Sequence, residues 1–305
     1  MDTFNHFLIT RFNVISSEGF DQKYPADRNI IYGSRYLQYR FDLFDKYCYP
    51  TVRAQSAKNF KWIVFFGFLT PEIFHKKIKE YAKWPNFIPV YIDEFNIEIL
   101  KKINNEYKTG NPQFLITTRL DSDDGICNDY LQMVQDNFKE QSFQIINFYW
   151  GYYLSHPIGK LYLRGRVDST FLSLIEKTDR AETVWLRNIA HYRLHGIYKP
   201  QGLMKNIILK DKPAWVVVFH GRNLANKSDL YNAVRQPKEK LIERFNIQLP
   251  DKDRYENKFL IKLDQSIFYF RHMKFAKFIN KQIANLRIRV GRYRAKLIRR
   301  SFLKK

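Results

Sequence analysis

Between His6 and Leu120 the chain alternates short apolar runs with amphipathic stretches, and this alternation limits its fold more than any other feature. His6 to Val14 (HFLITRFNV) opens as a buried strand and turns polar at Arg11 and Asn13. Lys61 to Phe66 (KWIVFF) is continuously apolar, the pattern of a strand covered on both faces. Phe87 to Ile92 and Gln113 to Leu120 (QFLITTRL) read as two more strands. Between them, residues 34–47 carry Tyr36, Leu37, Tyr39, Phe41, Leu43 and Phe44 among Arg35 and Arg40, which predicts a helix. Thr70-Pro71-Glu72 predicts an N-cap, a first-turn proline and an early acid opening a helix to about Lys83. Residues 96–107 predict a third. Strand, helix, strand, helix, strand is the signature of a doubly wound α/β sheet. Right-handed crossovers then place the carboxyl ends of the strands, and the ligand crevice, on one edge.

Beyond Asp124 the pattern loosens. Ile126 to Phe138 reads as a helix, and Ser142 to Tyr149, Tyr152 to Ser155 and Lys160 to Arg164 as strands. Residues 170–177 and 182–191 read as helices, and Ala214 to His220 (AWVVVFH) as a late buried strand. From about Asp229 onward the chain reads as charged helices. The domain reading is a catalytic α/β domain over residues 1–235 and a helical, basic extension over 236–305.

Composition bounds the function classes. With 305 residues, 45% hydrophobic and 27% charged, the chain can bury a sizeable core. The aromatic share of 17% reads first as an aromatic-rich core. The formal charge of +22 raises a nucleic-acid-binding protein as the alternative function. Its placement argues against that: thirteen Lys and Arg and no acid fall between Arg271 and Lys305, which leaves about +9 for the body. No zinc-finger or RNP-type string supports a nucleic-acid partner. Two cysteines, Cys48 and Cys127, make neither a disulfide framework nor a four-ligand zinc site. The N-terminus has no basic, apolar leader, and no apolar run approaches the roughly 20 residues of a spanning helix. A cytoplasmic protein is expected.

The strand QFLITTRL delivers Asp121-Ser122-Asp123-Asp124-Gly125 to the crevice edge. Three carboxylates there repel one another unless a cation joins them. Hard divalent ions prefer such oxygens, and Mg²⁺ is typically held by one or two carboxylates plus substrate phosphates. An EF-hand loop beginning at Asp121 fails, because positions 125 and 132 are Gly125 and Gln132. The other alternative is a solvated cap on the helix after Ile126. The strand context favours a metal site, Mg or Mn, on Asp121, Asp123 and Asp124, bridging a nucleotide diphosphate.

Several strings in order carry a resemblance: LITRFNV near the start, QSAKNFKWIVFF followed by LTP (Gln55 to Pro71), TTRLDSDDGI (Thr117 to Ile126), FLSLIE (Phe171 to Glu176) and FHGRN (Phe219 to Asn223). Over about residues 5–225 the chain resembles the putative rhamnosyltransferase family. The resemblance implies a GT-A-like, Rossmann-type mixed sheet flanked by helices. It also implies a nucleotide-sugar donor, possibly of rhamnose, and a cell-surface polysaccharide or glycolipid product.

Within that frame Arg11, Asn13, Arg119 and Asp121 are candidates for donor binding, the alternative being ordinary strand-end residues. Arg35, Arg40, Arg53 and Gln55 are weaker candidates. His220, late and after an apolar run, is a candidate ligand for the metal or diphosphate, or else a histidine bonded to backbone. Inverting sugar transfer needs a group to take the acceptor hydroxyl's proton. Glu176 is the first candidate, since an acid in an apolar segment should have a raised pKa, and Asp168 the second. His191 reads as structural or acceptor-side.

In the tail, Phe275, Ile279, Ile283, Leu286, Val290, Tyr293 and Leu297 fall at helical spacings of three and four, with Lys and Arg mostly off that stripe. A basic amphipathic helix reads as interfacial. Residues 271–305 are therefore expected to bind an anionic membrane surface, placing the enzyme on the inner face near a lipid-linked acceptor.

Overall fold

Trp62, Val64 and Phe66 pack on one side of the second strand and Ile63 and Phe65 on the other, and this split organises the molecule. In the computed structural model the described residues are 3–15, 28–156, 159–186, 189, 191–209, 211–220, 233–248 and 257–269. The strands are β1 (Phe4–Arg11), β2 (Lys61–Gly67), β3 (Phe87–Ile92), β4 (Phe114–Arg119), β5 (Gly125–Ile126), β6 (Phe143–Phe148), β7 (Trp150–Ser155), β8 (Lys160–Gly165), β9 (Leu172–Lys177), β10 (Met204–Ile207), β11 (Trp215–Phe219) and β12 (Val234–Gln236). The helices used below are α1 (Arg28–Ile31), α2 (Ser34–Leu43), α3 (Tyr49–Arg53), α4 (Glu72–Ala82), α5 (Ile97–Tyr107), α6 (Tyr130–Gln135), α7 (His191–Tyr198) and α8 (Glu239–Phe245).

A seven-stranded sheet runs β10-β6-β9-β4-β1-β2-β3. Every neighbour pairing in it is parallel except those of β9, which lies antiparallel between β4 and β6. One face is covered by Leu37 and Phe41 of α2 and Phe74 and Ile78 of α4. The other is covered by Leu100 and Ile103 of α5 and by Trp185 and Leu194. A second sheet, β12-β8-β7-β11-β5, completes the mixed α/β architecture expected from the sequence.

The aromatic share is spent in this core. Phe41 stacks on Phe74 at 5.1 Å, Phe44 on Trp62 at 5.4 Å and Phe171 on Trp215 at 5.4 Å. Such pairs add directional packing to the burial of each ring. Gly151 is required where it stands, because a Cβ there would lie 2.0 Å from the Trp215 ring.

Four expectations change. Residues 172–177 form the central strand β9, not a helix; a short run buried on both faces has the same apolar signature in either state. The helix expected at 182–191 begins only at His191, after a turn in which Thr183 and Leu186 have positive φ of 64° and 42°. The helix expected from Ile126 starts at Tyr130, because Gly125–Ile126 is taken into pairing with β11. Thr70 does not cap α4; its hydroxyl donates to the Gly67 carbonyl.

The compact unit also extends to Tyr255 rather than stopping at 235. β12 pairs with β8, and Leu241, Phe245 and Ile247 lie in the main core. Glu256–Lys305 forms the other unit, in which residues 258–269 are helical with Phe259, Leu260, Leu263 and Ile267 exposed. The amphipathic tail expected over 271–305 lies outside the described residues. Among the described residues no helix is long and apolar enough to cross a membrane.

Candidate active site

The parallel strands bring their carboxyl ends to one edge, and β4 delivers the aspartates there. Asp121 is the most open, with its side chain 31% exposed, and it pairs with Arg119 at 3.3 Å. Asp123 turns inward. Its Oδ2 accepts from Arg40 Nη1 at 3.0 Å and lies 2.7 Å from His220 Nε2, which arrives at the end of β11. Burial alone would raise the Asp123 carboxyl, but the Arg40 guanidinium and His220 outweigh it and hold the group well below the usual carboxylate range. Asp124 Oδ1 accepts from the Val218 N–H at 2.8 Å, tying the acidic turn to β11. Its carboxyl is pushed well up, first by burial and then by Asp123 and Asp121. The three acids thus have three environments: an open one at Asp121, an ion-paired one at Asp123 and a structural one at Asp124.

Arg40 carries more of the site than its sequence suggested. On α2 and the turn that follows, positions 37, 40, 41 and 44 share one face, and the other three are Leu37, Phe41 and Phe44, all buried. An arginine on a core-facing stripe requires a partner, and that pattern was the available signal. Its second nitrogen donates to Ser122 Oγ, so one guanidinium braces the turn at two points.

Beside the aspartates, Arg11 and Arg119 both stack on Trp185, with their guanidinium carbons 4.4 Å and 4.3 Å from the ring centroid. Nothing in the local sequence points to Trp185, since a turn carries it there. Arg119 Nε and Trp185 Nε1 are buried with no acceptor among the described residues. Asn13, by contrast, is engaged internally: its carboxamide accepts from the Gly67 N–H at 3.1 Å and donates to Thr70 Oγ1 at 3.0 Å, joining β1 to the end of β2. It positions the crevice wall.

Asp168 follows β8 and reaches the same edge. Ser169 Oγ donates to Asn147 near the end of β6, and Arg166 Nε donates to Asp168 Oδ1 at 3.1 Å. His191, at the start of α7, is close enough to sense Arg119, Asp121, Arg166 and Asp168; burial first, then the two arginines, lower it to about 4. Arg166 and His191 complete a constellation that sequence spacing could not assemble.

Glu176 is elsewhere, which corrects the first candidate for the base. On antiparallel β9 it sits opposite Leu115, near the start of β4, whereas the aspartates follow the end of β4. Four residues of strand, roughly 13 Å, separate it from the level of Arg119. Both carboxylate oxygens accept backbone N–H bonds, from Glu182 at 2.7 Å and Thr183 at 2.8 Å. Burial still pushes the group up to about 7.

A divalent ion fits part of this geometry. A carboxylate oxygen and an imidazole nitrogen converge at Asp123 and His220, and both are competent ligands. Among the described residues no group of three or more His, Cys, Asp or Glu converges on one point, so a diphosphate and water would have to supply the remaining ligands. Arg40 competes for the same Asp123 oxygen.

The structure is similar to residues 1–349 of S. aureus TarS, solved with UDP (TM-score 0.41, 11% identity, covering 70% of this chain and 60% of that one). It is also similar to a nucleotide-diphospho-sugar transferase from Desulfovibrio desulfuricans G20 (TM-score 0.38, 9% identity, 80% and 95%). The inositol-1-phosphate CTP transferase from T. maritima aligns at TM-score 0.35 and 11% identity, over 74% and 93%. The chain spans about 60% of the TarS fragment. No curated protein sequence matches it. The family model described as Putative rhamnosyl transferase matches residues 5–230, the span that holds every strand of the large sheet, the aspartates, Trp185 and His220. The chain belongs to that family.

Proposed function

We propose that this chain is a glycosyltransferase that transfers a sugar, with rhamnose the first donor to test, from a nucleotide diphosphate to a glycan or lipid-linked acceptor at the cell surface. The observation that carries the reading is the convergence of Asp123 and His220 at 2.7 Å beside the arginine-flanked Trp185, where β1, β4 and β11 end. Asp123 and His220 would hold a divalent Mg or Mn ion, which when bound offsets charge on the departing diphosphate. Arg11 and Arg119, held flat by Trp185, face the same charge, and Asp121 is open to the donor's hydroxyls or to the ion. Asp168 is the acceptor-activating base: it lies at the crevice edge, where Arg166 Nε donates to its Oδ1 at 3.1 Å.

Membrane contact through residues 271–305 remains part of the proposal. In the helical segment 258–269, Phe259, Leu260, Leu263 and Ile267 are exposed apolar side chains that such contact would also use. Titration calorimetry with UDP, dTDP and GDP, with and without Mg²⁺ or Mn²⁺, tests the donor site. Binding should need the ion and disappear in Asp123→Ala; binding of equal strength without metal in that variant refutes it. For the membrane part, flotation with anionic phosphatidylserine vesicles should weaken when residues 271–305 are removed, and unchanged flotation refutes it.

A further inference from the structure

At the sheet edge opposite the aspartates lies a cavity of about 320 Å³, lined by the starts of β1 and β4, helix α5 and the segment 178–183 and open to solvent on one side. This volume falls in the small-molecule range. Its floor includes the buried rings and methyls of Phe7 and Leu115. Asn104 of α5 is 5% exposed, and neither Nδ2 nor Oδ1 of its carboxamide has a hydrogen-bond partner among the described residues. Thr183, 1% exposed, likewise has no partner for its Oγ1 among the described residues. Buried polar groups in folded proteins are ordinarily satisfied, so two orphans at one cavity wall point to something that joins them.

The wall is also held under strain. Thr183 is β-branched and has φ of 64°, a conformation such residues rarely adopt. Glu176 secures it there, its carboxylate oxygens accepting the N–H groups of Glu182 and Thr183 at 2.7 Å and 2.8 Å. Charges around the cavity nearly balance: Lys101, Lys108 and Arg180 face Asp179 and Glu182, and Lys101 already has Glu98 at 3.6 Å. A strongly charged ligand is therefore disfavoured.

We propose that this cavity is a second carbohydrate site, holding one pyranose unit of a neutral glycan away from the transfer crevice. A carboxamide and a hydroxyl each donate and accept, which is the complement of vicinal sugar hydroxyls. Phe7 and Leu115 offer an apolar floor to the C–H face of the ring. The site rests on the glycosyltransferase reading only for its biological use, not for its chemistry.

Saturation-transfer NMR on the full chain, with the methyl glycosides of rhamnose, glucose, galactose and N-acetylglucosamine, tests the site. At least one glycoside should bind at millimolar concentration, and Asn104→Leu should weaken it at least about tenfold. Ala181→Tyr, which fills the cavity from its other wall, should do the same. Excess UDP, dTDP or GDP should leave glycoside binding in place, and both variants should keep the wild-type nucleotide affinity within about twofold. The proposal is overturned if no glycoside binds, if binding survives both substitutions, or if a nucleotide diphosphate or inorganic phosphate displaces the sugar. Loss of nucleotide binding in the wild type would instead refute the donor-site proposal and leave this one standing.

Discussion

The Arg40–Asp123 pair offers the sharpest test of how the acidic turn is built. The charges lie 3.0 Å apart with side chains only 13% and 12% exposed. At an effective dielectric of about 20, Coulomb attraction at that distance is about 5 kcal/mol. Desolvation cancels much of it, but that cost is not recovered when one partner is deleted. Arg40→Met should therefore lose about 3–5 kcal/mol, because Asp123 stays buried with its main partner gone, and Asp123→Leu should lose as much for the converse reason. At about 2–4 °C per kcal/mol for a unit of this size, each single variant melts roughly 10 °C lower. The double variant removes both charges together and should recover most of the stability, giving a coupling of several kcal/mol in a double-mutant cycle. Calorimetric melting of the four proteins reads this directly. If the two losses simply add, the pair is not coupled and the account of Asp123 fails. Nucleotide-diphosphate binding should stay absent in the stable double variant, which separates the fold's need for the pair from the site's need for Asp123.

Three other perturbations follow from the same geometry. Asp168→Asn should lower kcat about 10²–10⁴-fold while leaving nucleotide affinity unchanged, and a product-formation assay showing a full-rate variant would remove Asp168 as the base. Glu176 has an ordinary pKa of 4.5 and is pushed up to about 7 in the fold. A group raised in this way contributes stability that is complete below pH 4.5 and is lost as pH rises through about 7, some 3 kcal/mol in all. Glu176→Gln should flatten that part of the pH–stability curve and still support sugar transfer; an unchanged curve contradicts the burial argument. Gly151→Ala forces a methyl to within 2.0 Å of the Trp215 ring, so it should cost about 1–3 kcal/mol and lower the melting point by several degrees. An unshifted melt would mean that β7 and β11 are less tightly opposed than described.

The strand–helix alternation up to Leu120, the double-sided burial of β2 and the delivery of Asp121 to Asp124 at the end of β4 were legible along the chain, because each depends on residues close together in sequence. KWIVFF cannot sit at a surface, and QFLITTRL ends where its acids begin. The ordered strings carried the family as well. Tertiary structure decided the rest. FLSLIE reads alike as a buried helix or a buried strand, and only its place between β4 and β6 makes it β9. That choice reverses the direction of the segment and carries Glu176 to the far edge, leaving Asp168 beside the aspartates. Arg40, Trp185 and His191 join Asp123, Arg11 and Arg119 across large sequence separations. Periodicity along a chain reports which face of an element is buried; which elements then meet is settled by how the two layers of helices close over the sheet.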